Sequence, residues 1–211
     1  MIVPGDDGAL RRVVLLVAAL NLAYFGVEFA VALAIGSVSL FADSVDFLED
    51  ASINLLIALA LAWSARWRAR VGMLLAMVLL VPSLATLWMA WRKFGAPLPP
   101  EAAALTATAL GALAVNVLCA ALLVRYRGHR GSLTRAAFLS TRNDAFANVA
   151  IIGAGAATAV FHSGWPDLGV GLGIAVLNAG AARDVWRAAN EERRADAAAN
   201  SGPLDARSDR P

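Results

Sequence analysis

Ser39-Leu40-Phe41-Ala42-Asp43-Ser44-Val45-Asp46-Phe47-Leu48-Glu49-Asp50 places four carboxylates within eight residues of an otherwise oily segment. Apolar sequence runs up to it from Val13 and away from it through Trp63. Ionisable side chains within a bilayer are expensive, so they face a bundle interior or a wet path, and they usually have a role there. Asp43, Asp46 and Asp50 are spaced three and then four apart, which puts them on one face of a helix. Glu49 lies at the edge of that face. A row of acids in such a place is suited to hold a cation.

The surrounding composition sets the class. The chain has 211 residues, 59% of them hydrophobic and only 16% charged, with a mean hydropathy of +0.64. An ordinary soluble domain has roughly a quarter of its residues charged. The expected fold is therefore all-α, a polytopic membrane protein. The formal net charge is only +2, so no strongly basic face invites nucleic acid. Cys119 is the sole cysteine, which excludes an intramolecular disulfide and any CxxC metal pair. Arg11 and Arg12 followed by apolar residues imitate a signal peptide, but the run to Ile35 exceeds the usual ~7–15-residue apolar core. It reads as a retained span.

A span needs about 20 apolar residues. Six segments qualify: 12–35, 38–63, 71–91, 102–124, 133–161 and 166–186. They form a membrane domain over 12–188, preceded by a cytoplasmic segment, 1–11. A polar tail, 189–211, reads as disordered. Arg11 and Arg12, then Arg66, Arg68 and Arg70, then Arg125, Arg127, Arg130 and Arg135, then Arg187, Arg193 and Arg194 all fall on one side of that topology. The positive-inside rule makes that side, and both termini, cytoplasmic.

The fifth segment carries Ser140-Thr141-Arg142-Asn143-Asp144 and then Asn148. Ser140 and Asp144 share a helix face. Depth links this face to the first. At ~1.5 Å per residue, Asp46 and Asp50 lie roughly 12–18 Å in from one surface and Asp144 roughly 16 Å in from the other. In a core about 30 Å thick, these depths meet near the midplane. Two antiparallel helices would then set Asp46, Asp50, Asp144 and Ser140 around one point. Such oxygen-rich sets suit divalent cations.

The surrounding polar residues have plainer readings. Asp43 lies nearer the outer interface, as a vestibule or a solvated end. Glu49 is a candidate partner for Arg142. Asn21 and Glu28 share a face and suggest a hydrogen bond within the bundle. Asn54 and Asn116 suggest interhelical glue. His129 and His162 fall in loops.

Gly36-Ser37-Val38-Ser39-Leu40-Phe41-Ala42-Asp43-Ser44-Val45-Asp46-Phe47-Leu48-Glu49-Asp50, with Leu139-Ser140-Thr141-Arg142-Asn143-Asp144, Ala114-Val115-Asn116-Val117 and Trp165-Pro166-Asp167, resembles the cation diffusion facilitator family. The resemblance covers nearly all of 13–188. It implies six spans, a midplane metal site from the second and fifth, metal/proton antiport, export from the cytoplasm through the cell membrane, and a homodimer. It also implies Asp46, Asp50 and Asp144 as ligands of a transported divalent metal, with no cofactor and no enzymatic activity. Ser140 stands where relatives usually carry His, which shifts the donor set from zinc toward harder ions. Outside that function, the sequence is compatible with a non-transporting membrane scaffold of the same fold or a small organic-cation exporter.

Overall fold

Long apolar stretches free of internal proline dictate helices, because a backbone in hydrocarbon must satisfy its own hydrogen bonds. The computed structural model describes residues 6–60, 84–95, 97–126 and 132–177. They are helical wherever the chain is not turning. Helix α1 is Asp6–Ile35 and α2 is Val38–Ala60. Residues 84–94 form α3. Helix α4 is Ala102–Leu123, continued by a 3-10 turn at Val124–Tyr126, and α5 is Ser132–Phe161. Helix α6 runs over Trp165–Leu177. No strand occurs among the described residues.

The expected boundaries hold closely for the fourth and fifth segments and for the start of the second, whose expected end at 61–63 lies outside the described residues. The first helix begins six residues earlier than expected, because the polar start at Asp6 continues the same helix instead of preceding it. Most of the third segment, the later part of the sixth and the tail at 189–211 lie outside the described residues. So do Arg66, Arg68, Arg70, Arg127, Arg130 and His129.

Among the described residues, three helical stretches are long and apolar enough to cross a membrane: Gly8–Ile35, Ala102–Tyr126 and Ser140–Phe161, with mean hydropathies of 2.0, 2.2 and 1.5. Only 28% of the most apolar part of each is buried. Leu15, Leu16, Leu22, Leu33, Leu110, Leu118, Phe146 and Val160 all point outward. Oil outside the bundle is what a lipid solvent selects. Helix α2, with 23 residues, has the length of a span. Its four acids keep it from looking like one by composition.

Helix α2 packs against α1 on one side and α5 on the other, while α4 closes the ring by touching α5 and α1. The interior of this four-helix ring is layered. At one end Leu10, Val14, Val17, Ile57, Cys119, Leu123 and Ala137 make an apolar cluster. At the other, Ala32, Leu40, Phe41, Leu105, Ala109, Ile151 and Ile174 make a second. Between them, along all four helices, lie the buried polar residues Asn21, Glu28, Asp43, Asp46, Asp50, Asn54, Asn116, Thr141 and Asn148. A polar middle layer is therefore sealed above and below by hydrocarbon.

The start of α2 is fixed by residues far along the chain. Gly36 takes φ of +65°, the left-handed conformation that ends α1. Ser37 then caps α2, its Oγ accepting from Leu40 N at 3.1 Å. Asp167 of α6 completes the cap. Its carboxylate accepts from Val38 N at 2.9 Å, Ser39 N at 3.1 Å, and the hydroxyls of Ser37 and Ser39, each at 2.6 Å. Phe41 N bonds Ser37 O at 3.3 Å, so each of the first four N–H groups of α2 has a partner. Helices α2 and α6 approach closely because residue 171 is Gly. A Cβ there would stand 2.8 Å from Ser39 N and the Val38 carbonyl carbon. This arrangement sets the register of the helix that carries the acids.

Candidate cation site

Asp50 is an acid of the polar layer anchored from a second helix. It is almost fully buried, and Thr141 Oγ1 of α5 donates to its Oδ2 at 2.6 Å. Thr141 Oγ1 also lies 3.1 Å from Ala137 O, one turn back, so the hydroxyl can reach the carboxylate only from its own fixed place on α5. Ser140 and Asp144 adjoin the same Asp50 carboxylate. Asp144 in turn faces Asp50, Asp46, Asp43 and Glu49 across the helix pair. The meeting of α2 and α5 anticipated from depth is thus seen, with Asp50, Asp144 and Ser140 as neighbours and Asp46 buried beside them. The donors are oxygens only. Among the described residues, no three His, Cys, Asp or Glu side chains converge closely enough to chelate a metal ion.

Several surrounding residues have roles the sequence did not assign. Thr141 was visible only as part of the stretch around Ser140, yet it makes the direct bond to Asp50. Its position three residues before Asp144 was the available signal, since that spacing puts both on one side of α5. Asp43 is neither in a vestibule nor at a solvated end: it is completely buried. The reason is that α6 and the Asp167 cap cover the start of α2, where the apolar cluster around Phe41 also lies. Glu49 and Arg142 form no ion pair. Arg142 is exposed and its Nη2 lies 3.5 Å from Asn143 Oδ1, while Glu49 is half-buried.

The amides bond locally. Asn21 Nδ2 donates to Val17 O at 2.9 Å and to Cys119 Sγ at 3.8 Å, and not to Glu28. Asn54 Nδ2 donates to Asp50 O at 2.8 Å, and Asn148 Nδ2 to Asp144 O at 2.9 Å. Each such amide presents its donor to its own helix and leaves its oxygen free of partners among the described residues. Asn116 differs, its Nδ2 having no partner among the described residues; the other unpaired atoms of the layer are all acceptors, a setting that favours a positive guest. His162 follows α5 in an exposed turn, as expected, with φ of +50°.

Apolar outer faces around an acidic, occluded middle define a multi-pass membrane protein built to handle charge within the bilayer. Residues 14–190 match the cation efflux transmembrane domain, and the chain belongs to the cation efflux family of membrane cation transporters. No curated protein sequence matches the chain.

Proposed function

We propose that the protein exports a divalent metal cation from the cytoplasm across the cell membrane in exchange for protons. The observation that carries this reading is the pairing of a buried Asp50 on α2 with Thr141 on α5, with Ser140 and Asp144 alongside. Asp46, Asp50, Asp144 and Ser140 supply the donors. Their carboxylates repel one another when empty, and a divalent cation drawn between α2 and α5 removes that repulsion. Protons can do the same in the opposite-facing state, because mutually repelling carboxylates bind protons more readily than isolated ones.

The two apolar clusters act as the gates. Each closes one end of the polar layer, so a cation is released only when one cluster parts while the other stays shut. Six spans with both termini cytoplasmic, and a homodimer, complete the arrangement we propose. The all-oxygen donor set favours manganese, iron or cobalt over zinc.

Reconstituted vesicles loaded with a pH dye test this. External manganese, iron, cobalt and zinc are offered in turn to the wild-type chain and to Asp50→Asn. Metal-driven proton movement that Asp50→Asn reduces to the protein-free background is expected. Flux unchanged by Asp50→Asn overturns the assignment. A response to zinc alone removes the preference for harder ions. The absence of three converging His, Cys, Asp or Glu ligands among the described residues favours one other reading, a non-transporting scaffold of the same fold. No flux with any of the four metals would support it.

A further inference from the structure

The polar layer contains a second group of acids that the Asp50 site does not use. Glu28 of α1, Asp43 of α2 and Asn148 of α5 are all completely buried. Glu28 and Asp43 face one another, and Asn148 lies beside Asp43. Connectivity explains why they are level. Glu28 stands eight residues before Gly36 and Asp43 seven residues after it, so the turn brings them opposite each other. Asn148 lies one turn beyond Asp144 on the antiparallel α5. The group is seven residues along α2 from Asp50, or about 10 Å at the helical rise.

Its five oxygens, both of Glu28, both of Asp43 and Oδ1 of Asn148, accept no hydrogen bond from any described residue. Tyr24 is close by, but its hydroxyl donates elsewhere, to Thr108 O at 2.7 Å. The other charged groups acting on Glu28 and Asp43 are Asp46, Asp50 and Asp144, which are also acidic. Unpaired buried acceptors are costly, and unpaired buried carboxylates more so. Three separate helices have nonetheless brought five of them together. The chemistry that satisfies such a set is a cation. Two carboxylates match one divalent charge, and oxygen donors with a neutral amide select a hard or borderline ion.

We propose that Glu28, Asp43 and Asn148 form a second binding site for a divalent cation, displaced about 10 Å from Asp50 toward the Gly36 end of the bundle. It rests on the reading of Asp50 as part of the transport site and extends it. The ion passes between two stations in the sealed layer, and the one at Glu28 lies nearer the Phe41 cluster and so serves passage through that gate.

Manganese binding to the full-length protein in detergent tests both sites at once, by equilibrium dialysis with metal analysis. The wild-type chain is expected to hold two ions. Glu28→Gln and Asp50→Asn should each hold one, and Asn148→Ala should weaken one of the two by about tenfold. Equal stoichiometry in wild type and Glu28→Gln overturns the second site and leaves the acid pair as a proton-sharing contact. If the wild type holds one ion that Asp50→Asn alone removes, the second site fails and the transport site stands. If the wild type holds none, both fail. Electron paramagnetic resonance of wild-type protein needs no variant. Two manganese ions about 10 Å apart broaden each other's spectrum, whereas the spectrum of an isolated ion counts against the proposal.

Discussion

Asp167 and Asp43 are both aspartates sunk in the same bundle, within a few residues of each other's helix contacts, yet their surroundings are opposite. Asp167 accepts from two backbone N–H groups and two hydroxyls at the start of α2. Asp43, with Glu28 against it, accepts from no described residue. The first carboxylate is fully satisfied by the fold and stabilised further by the N-terminal end of the helix dipole. It has nothing left to offer a guest. The second is left with its charge uncompensated, an arrangement that persists only if a guest or a proton supplies what the protein does not. Burial alone therefore does not mark a functional acid. The number of donors around it does.

That difference can be broken by experiment. The largest expected effect is on stability. Asp167→Ala strips four donors of a charged acceptor at once and should destabilise by about 3–5 kcal/mol, since a hydrogen bond to a charged group is worth roughly 1.5–3 kcal/mol. Thermal unfolding in detergent reads this as a lowered midpoint. Glu28→Gln, by contrast, removes repulsion between buried acids and should leave the midpoint level or raise it. An Asp167→Ala midpoint equal to wild type would erase the distinction between the two carboxylates.

A smaller effect belongs to the bond that orients the transport site. Thr141→Val keeps the shape of the side chain and removes the donor to Asp50 Oδ2. Positioning bonds of this kind typically contribute 10–100-fold to metal affinity, so the metal concentration for half-maximal flux should rise by about that factor. Thr141→Ser restores the hydroxyl and should recover most of it. An unchanged half-maximal concentration in Thr141→Val would mean that Asp50 needs no positioning.

The smallest effect comes from the contact behind the cap. Gly171→Ala puts a methyl group 2.8 Å from the backbone of Val38 and Ser39. Overpacking of this type costs about 1–3 kcal/mol. It should lower the thermal midpoint less than Asp167→Ala does and leave manganese stoichiometry unchanged, because the cap hydrogen bonds can survive a small shift of α6. A loss of bound metal in Gly171→Ala would tie the cap to the site more tightly than the fold implies.

Much of the fold was legible from the chain itself. Hydropathy and length placed α4, α5 and the start of α2 nearly to the residue and α1 to within six, because helices in lipid must satisfy their own backbone and cannot be interrupted. Residues 14–190 match the family that the motifs around Asp46, Asp50 and Asp144 resemble. The 3.6-residue period put Asp43, Asp46 and Asp50 on one face. A depth argument was enough to bring Asp144 and Ser140 opposite them, since axial rise is nearly constant.

What the sequence could not supply was the partner of each polar group. Thr141, not only Ser140 beside it, reaches Asp50, and Asp167, 130 residues from Ser37, completes its helix cap. Asp43, expected near the outer interface, is as deeply buried as any of its neighbours. Helical period and hydropathy are local properties, and the local sequence determined them: a membrane-embedded helical chain with an acidic face. Whether a buried oxygen is satisfied depends on which distant helix passes it and at what height. Only the tertiary structure decided that, by giving Asp167 four donors and giving Glu28 and Asp43 each other.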